Sequence, residues 1–227
     1  MSKPEPESET QPDLCLDDPL PADPLPLFSN WLGEAIEERV ARNPTTMTLA
    51  TVDAKGHPEA RIVICRGWDL ERGWLVFYTN RRSLKGRSLA RAPRAAAVFH
   101  WDCFARQARV EGPVVHSPES ESDAYFANRP AEAALSAWAS DQSRPILSRE
   151  ALLERQREAE SRFRGQDPGA AVPRPPHWGG YRIWIERIEL WVGRFGRLHD
   201  RALWTRSLDP DGNSFRAGNW SVERLQP

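Results

Sequence analysis

The chain has 227 residues, 40% apolar and 28% charged, with a formal net charge of −1, enough for one domain of ordinary size with a real core. A balance this close to neutral gives no electrostatic case for nucleic acid or a membrane surface as the main partner, so functional positive charge must be local. Three widely spaced cysteines, Cys15, Cys65 and Cys103, fit neither a disulfide framework nor a zinc site, and no segment reads as a leader or a membrane span, so a cytoplasmic protein without a metal is expected.

Residues 1–22 are rich in Pro, Asp and Glu and carry no period that could bury a face. They are expected to form a disordered or loosely draped arm ahead of a domain spanning 23–227. A helix should follow, with Asp23 as cap, Pro24 in the first turn, and Leu27, Phe28, Trp31, Leu32, Ala35 and Ile36 at helical spacing. Asn43-Pro44 should end it. Short strand-like runs come next. The run over 46–52 turns through Asp53-Ala54-Lys55-Gly56 into 60–66, and 74–79, 95–101 and 107–115 follow, with a short helix over 83–92.

The middle of the chain changes period. Helices are expected over 120–128, 130–138 and 148–164, the last strongly charged. Beyond a Pro-rich connector at 173–176, a final strand group covers 181–186, 188–192, 202–206 and 214–224. Many short, evenly spaced strands predict a mainly β, α+β fold, an antiparallel barrel flanked by helices rather than a parallel sheet.

Several segments could carry chemistry. Arg197-Leu198-His199-Asp200-Arg201 sets two guanidiniums and an imidazole at alternate positions, so an extended backbone would point all three to one face and call for an anion or an electron-rich ring. In Arg61-Ile62-Val63-Ile64-Cys65-Arg66 the apolar residues alternate poorly, which predicts a strand buried on both faces with an arginine at each end; two snorkelling arginines are the plainer alternative. Tyr78, Thr79 and Asn80 lead into Arg81-Arg82-Ser83-Leu84-Lys85, where a strand hydroxyl and a Ser-capped helix start with nearby cations suit a phosphate. An ordinary capped helix reads equally well there.

Gln107 offers a donor and an acceptor to a heterocycle edge, or is simply a surface residue. Tyr125 and Arg129, four apart, could grip one phosphate from a helix face, or merely pack on each other. Gln142 and Ser143 sit in a polar loop that is otherwise unremarkable. There is no Gly-x-Gly-x-x-Gly or Walker motif, no paired-acid pattern, no Gly-x-Ser-x-Gly elbow and no metal-spaced His/Cys cluster.

In series these segments are specific. From about Ala22 to Pro227 the chain resembles the pyridoxamine 5′-phosphate oxidase family. The resemblance is carried by Arg61-Ile62-Val63, Val76-Phe77-Tyr78-Thr79-Asn80, Trp178-Gly179-Gly180, the Arg197–Arg201 pentapeptide and the closing Glu223-Arg224-Leu225-Gln226-Pro227. It implies a homodimer of FMN-binding split β-barrels with FMN at the interface. The implied reaction oxidises pyridoxine or pyridoxamine 5′-phosphate to pyridoxal 5′-phosphate, with O2 as acceptor and hydrogen peroxide as product.

By matching position, the resemblance assigns FMN to Arg61, Ile62, Val63, Ile64, Cys65, Arg66, Tyr78, Thr79, Lys85, Gln107, Gln142, Ser143, Trp191 and Arg201. It assigns the substrate phosphate to Arg66, Tyr125 and Arg129, and the substrate ring to the catalytic pair Arg197 and His199. The departures are as informative. Arg66 stands where the family has lysine, Leu84 where it has arginine, and Ala133 where it has serine; the basic, tyrosine-bearing lid of some members is missing from the acidic arm. The changes at Arg66 and Ala133 suit an alternative, a phenazine-biosynthesis-type FMN oxidase acting on a non-phosphorylated tricycle, whereas the retained Tyr125, Arg129 and the stretch from Ala137 to Ser143 speak for the phosphorylated vitamers. A third reading is a flavin- or pyridoxal-phosphate-binding module without turnover, which would have no need of Arg197 and His199.

Overall fold

The computed structural model describes residues 15–164, 167 and 169–227. Its elements in chain order are α1 (Leu25–Glu37), β1 (Thr46–Val52), β2 (Pro58–Ile64), β3 (Gly67–Asp69), β4 (Trp74–Asn80), α2 (Leu84–Arg91), β5 (Arg94–Trp101) and β6 (Arg106–His116). Helices α3 (Glu119–Ala127), α4 (Ala131–Ala139) and α5 (Arg149–Arg164) follow, and then β7 (Trp178–Trp184), β8 (Arg187–Val192), β9 (Asp200–Thr205), β10 (Leu208–Asp211), β11 (Ser214–Ala217) and β12 (Ser221–Leu225).

Neighbouring strands run β12-β9-β8-β6-β5-β1-β2, while β7 joins β6 to β4 and β4 joins β3. All pairings are antiparallel. Strand β6 belongs to both arms of the barrel: Arg106–Glu111 pair with β8, and Val114–His116 pair with β7. Gly112 marks the crossing, since a Cβ there would lie 1.9 Å from the Trp184 carbonyl oxygen. The register series Leu49, Ala97, Val110 and Ile188 is fully buried and defines the inner face of the sheet.

Helix α1 closes one end of the barrel. Its Leu25, Phe28, Trp31, Leu32 and Ala35 are buried, with Phe28 and Trp31 edge-on to Phe99 and Trp101. Asp23 Oδ1 accepts the Leu25 N–H at 2.9 Å, the expected capping contact. The helix stops at Glu37 rather than at Asn43, because Arg39 turns left-handed at φ 49. No helix among the described residues is long and apolar enough to cross a membrane.

Four expectations need correction. Strand β2 is not buried on both faces: it is the edge strand, and Ile62 is 64% exposed. The run expected over 214–224 breaks into β11 and β12, and the short strands β3 and β10 were not anticipated. Residues 15–22 are not loose. Leu16 is 4% exposed, its N–H donates to Asp200 Oδ2 at 2.8 Å, and the Pro21 carbonyl accepts from Trp204 Nε1 at 2.8 Å. The arm expected over 1–14 lies outside the described residues. Finally, the pentapeptide is not extended at its start. Phe195–Arg197 form a 3-10 turn in which Gly196 and Arg197 have φ 67 and 62, and β9 begins only at Asp200, so Arg197 does not continue the face of His199 and Arg201.

Candidate active site

Strand β4 ends by delivering Thr79, and the chain then turns into α2. Ser83 caps that helix, its Oγ accepting the Gly86 N–H at 3.3 Å. Gly86 is required by space: a Cβ there would sit 2.1 Å from the Arg81 carbonyl oxygen. The turn therefore presses onto α2 and drives Lys85 inward to 9% exposure. Its ammonium donates to Thr79 Oγ1 (3.3 Å), Ser83 Oγ (3.4 Å) and Gln142 Oε1 (3.1 Å). Thr79 Oγ1 also donates to Gln142 Oε1 at 3.1 Å, so that oxygen is committed to two donors and any new contact by the Gln142 side chain would be made by its amide nitrogen.

All the acceptors around Lys85 are neutral. Burial first, and the Arg61 guanidinium second, push its pKa down to about 8. Arg61 shares the inner face with its register partner Leu49, donates to Thr51 Oγ1 at 2.6 Å, and pairs with Glu59 at 3.2 Å. A buried ammonium flanked by a second cation and met only by neutral oxygens is chemically suited to a phosphate monoester, and the N-terminus of α2 adds to that preference. The residues present thus fit the phosphate of FMN.

The other members of the 61–66 run are dispersed around this cradle. Ile62 points outward, Val63 and Ile64 are half-buried, and Arg66 is exposed. Burial pushes the pKa of the Cys65 thiol up to about 11; the thiol donates to the Gly67 carbonyl oxygen at 3.3 Å and the backbone N–H to the Thr45 carbonyl oxygen at 3.0 Å.

A second cationic station, Arg129, lines a cleft of about 520 Å³ together with Tyr78, Trp178 and two of the Lys85 partners, Thr79 and Gln142. Helix α3 ends at Ala127, so Arg129 lies beyond it rather than on a shared helical face with Tyr125. Both nevertheless meet on Trp178. The Arg129 guanidinium lies 4.9 Å from the Trp178 ring, while Tyr125 stacks on Tyr78 at 4.1 Å and on Trp178 at 6.0 Å. Arg129 Nη2 donates to the Ala133 carbonyl oxygen at 3.0 Å, whereas its buried Nε has no partner among the described residues. Burial lowers the Arg129 pKa, Tyr125 opposes this, and Arg66 lowers it further, which places the two guanidiniums within electrostatic reach.

Gln107, Trp191 and Arg201 occupy the opposite face of the sheet. Gln107 on β6 is the register partner of Trp191 on β8, which in turn is the partner of Arg201 on β9. Gln107 stands three residues from the inner-face Val110, hence on the outer face. His199 sits against the Trp191 ring at 4.7 Å, and its Nδ1 accepts the Arg194 N–H at 3.2 Å. Arg197 is exposed on the preceding turn. Arg201 donates through Nε to Glu189 Oε1 at 2.8 Å and through Nη1 to the Gln226 carbonyl oxygen at 2.9 Å. Ser143, left-handed at φ 68, follows Gln142 in an exposed turn.

One chain therefore gathers Thr79, Lys85, Gln142 and Arg61 in one group, and Gln107, Trp191, His199 and Arg201 in another on the far side of the sheet. Sequence reasoning gave no role to Asn80, Ser136, Leu152, Leu153, Gln156 or Trp178, all of which line the cleft. Trp178 was visible within its Trp-Gly-Gly motif; the leucines of the charged α5 gave no signal, because only the packing of α5 on α4 brings them to the cleft.

Comparison with known proteins places the chain in a family. Residues 32–162 match the family described as pyridoxamine 5′-phosphate oxidase, and residues 178–227 match the pyridoxine 5′-phosphate oxidase C-terminal dimerisation region, which marks the chain as a homodimer-former. A pyridoxine/pyridoxamine 5′-phosphate oxidase of Paraburkholderia phymatum is 48% identical over 207 residues, 90% of each chain. Its counterpart in Paraburkholderia phytofirmans is 49% identical over 204 residues, 90% of this chain and 89% of that one.

Among solved structures, PhzG from Burkholderia lata 383 in complex with tetrahydrophenazine-1-carboxylic acid aligns with a TM-score of 0.78 at 31% identity, covering 92% of this chain and 95% of that chain. A pyridoxamine 5′-phosphate oxidase-related, FMN binding protein from Nostoc punctiforme, at 19% identity, shares the fold with a TM-score of 0.65 over 89% of this chain and 96% of its own. With a split barrel, a fitting phosphate cradle and these matches, the chain belongs to the pyridoxamine 5′-phosphate oxidase family of FMN-dependent oxidoreductases.

Proposed function

We propose that two copies of the chain hold FMN between them and oxidise pyridoxine or pyridoxamine 5′-phosphate to pyridoxal 5′-phosphate. The observation that carries this reading is a pair of cationic stations, one at Lys85 bonded to the cleft residues Thr79 and Gln142, the other at Arg129 in the lining of that cleft. Lys85 with Arg61 suits the FMN phosphate, and Arg129 with Arg66 and Tyr125 suits a second phosphate, that of the substrate. The buried, unpartnered Nε of Arg129 supports an anion there.

Bound FMN supplies a hydride acceptor that molecular oxygen restores, yielding hydrogen peroxide. The chain's own residues do the rest. Lys85, Arg61 and the Gln142 amide anchor and orient the cofactor, while Arg129, Arg66 and Tyr125 fix the far end of the substrate. From the second copy, Gln107, Trp191 and Arg201 complete the flavin site, and Arg197 and His199 meet the substrate ring. For the alcohol the balance is R–CH2OH + O2 → R–CHO + H2O2; for the amine, water enters and ammonia leaves as well.

A second reading has its own support. Ala133 removes a hydroxyl beside Arg129, and the solved relative at 31% identity is PhzG, bound to a phenazine carboxylate rather than a phosphate. One assay separates the two. FMN-loaded protein in air is given each phosphorylated vitamer and, separately, a reduced phenazine carboxylate, and peroxide is followed with aldehyde or phenazine product. Peroxide and pyridoxal 5′-phosphate from the vitamers are expected. FMN retention with peroxide from the phenazine alone would overturn the leading reading.

A further inference from the structure

Resting on the oxidase reading above, we propose that Arg81 is a positioning residue. It ties the turn beneath the flavin phosphate to the helix that carries the substrate-phosphate grip, so that each phosphate strengthens the binding of the other. Arg81 follows β4 directly and stands in the short turn before α2. One end of the residue belongs to the Lys85 cradle, since its carbonyl oxygen is the atom against which Gly86 packs. The other contacts leave the cradle altogether. The Arg81 N–H donates to the His177 carbonyl oxygen at 2.7 Å. Its guanidinium passes over Gly179 of β7 and reaches Glu119, the first residue of α3, at 2.7 Å.

That crossing needs an empty position. A Cβ on Gly179 would lie 2.3 Å from Nη2, 2.7 Å from Cζ and 2.9 Å from Nε of Arg81, so the guanidinium fills the space of the missing side chain. On the neighbouring residue, a Cβ on Gly180 would meet the Ser117 hydroxyl at 2.1 Å and the Tyr78 ring at 2.8 Å. The Trp178-Gly179-Gly180 motif thus has a physical reason: it lets Arg81 and Tyr78 lie close against β7.

At α3 the tie is braced. Glu119 is also held by Arg174 at 2.7 Å, and Arg174 grips Asp123, one turn further along α3, at 2.7 Å. Burial pushes the Glu119 carboxyl up, but Arg81 and Arg174 outweigh burial and hold it below the usual carboxylate value. Arg174 also donates to the Trp178 carbonyl oxygen. The Trp178 ring in turn meets the Arg129 guanidinium at 4.9 Å and stacks with Tyr78 and Tyr125. Contacts therefore run unbroken from the Lys85 cradle through Arg81, Glu119, Arg174 and Trp178 to Arg129. A phosphate at the N-terminus of α2 that stills the turn also fixes one anchor of α3, and linkage makes the reverse effect equal.

Glu119 is 56% exposed, so the coupling should be about three- to tenfold, at the low end for linked sites. Hydrogen exchange reads it at the Asn128 and Arg129 amides, which close the end of α3 on the Tyr125 and Phe126 carbonyl oxygens. Saturating FMN should slow exchange there by that factor in the wild type, and not at all in Arg81→Ala. Equal protection in Arg81→Ala overturns the proposal whether or not any vitamer is oxidised, so its failure is distinct from failure of the oxidase reading. Turnover gives the second readout. Arg81→Ala should raise KM for pyridoxine 5′-phosphate by about three- to tenfold and leave kcat near wild type, since the tie touches neither Arg197 nor His199. Gly179→Ala displaces the guanidinium without removing it and should reproduce that rise. Added to Arg81→Ala it should cost nothing more, because its Cβ then enters vacated space. An unchanged KM in either single variant, or losses that multiply in the double variant, would show that Arg81 is no such tie.

Discussion

Raising the pH from 7 to 9 titrates Lys85 in the proposed flavin-phosphate cradle, since burial and Arg61 have brought its pKa down to about 8. A bound phosphate favours the ammonium, so the complex keeps the proton that the free protein loses. Affinity for FMN then follows the protonated fraction of the free protein, about nine tenths at pH 7 and about one tenth at pH 9, a loss of about tenfold or about 1.4 kcal/mol. The FMN phosphate adds no slope of its own, because its second ionisation, at about pH 6, is complete before this window.

The assay is quenching of flavin fluorescence on titrating apoprotein into FMN at pH 7, 8 and 9, with riboflavin, which lacks the phosphate, in parallel. Lys85→Arg carries a permanent charge and should flatten the profile; Lys85→Met should bind weakly at every pH. An FMN affinity independent of pH, or a parallel fall for riboflavin, would refute the assignment. Apoprotein stability should move the other way. The folded pKa lies below the ordinary 10.5 of lysine, so between about pH 8 and 10.5 the unfolded chain binds more protons, and Lys85 makes the folded state relatively more stable as pH rises.

Three further outcomes are expected. Arg129→Ala should raise KM for phosphorylated vitamers by about ten- to a hundredfold with FMN affinity unchanged, as for the loss of a charge-assisted hydrogen bond; an unchanged KM would remove Arg129 from the substrate site. Gly86→Ala should cost about 1–3 kcal/mol, since a Cβ 2.1 Å from a backbone oxygen forces the Arg81–Ser83 turn off α2, and should lower both Tm and FMN affinity; wild-type melting would contradict the close approach. Asp200→Ala should release residues 15–18, read as rapid hydrogen exchange at the Leu16 amide, because both Leu16 and Arg224 lose their acceptor; unchanged protection there would show that the segment is held by other contacts.

The sequence made some of this legible and hid the rest for physical reasons. The spacing of Phe28, Trp31, Leu32 and Ala35 placed α1, and the Ser83 cap placed α2, because helical periodicity and capping act within a few residues. The Ile62-Val63-Ile64 run announced a strand but not its exposure, since what covers an edge strand is set by its neighbours and not by its own pattern. Strands β3 and β10 owe their existence to pairing with β4 and β11. An arginine at φ 62 has no compositional signal, so the turn at Arg197 could not be foreseen. Residues 15–22 read as unstructured by composition, yet one buried leucine and a few backbone hydrogen bonds hold them.

The division of the candidate residues between two faces explains why each motif read blandly alone. Arg61 lies on the inner face with Leu49, whereas Gln107 and its lateral neighbours Trp191 and Arg201 lie on the outer face, beyond the intervening strands β1 and β5. In the proposed reading these groups surround a single flavin only when the outer-face group comes from a second copy, because within one chain a packed sheet separates them. A second copy can supply the outer-face group to the first copy's cradle, consistent with the dimerisation region at 178–227. Ile62, Phe195 and Leu198, at 64%, 99% and 76% exposure, are apolar side chains left bare beside the two half-sites, and pairing of the copies is the economical way to cover them. On this reading, selection acts on residues that become neighbours only across two chains, and the order of motifs along one chain carries information that the shape of one chain does not.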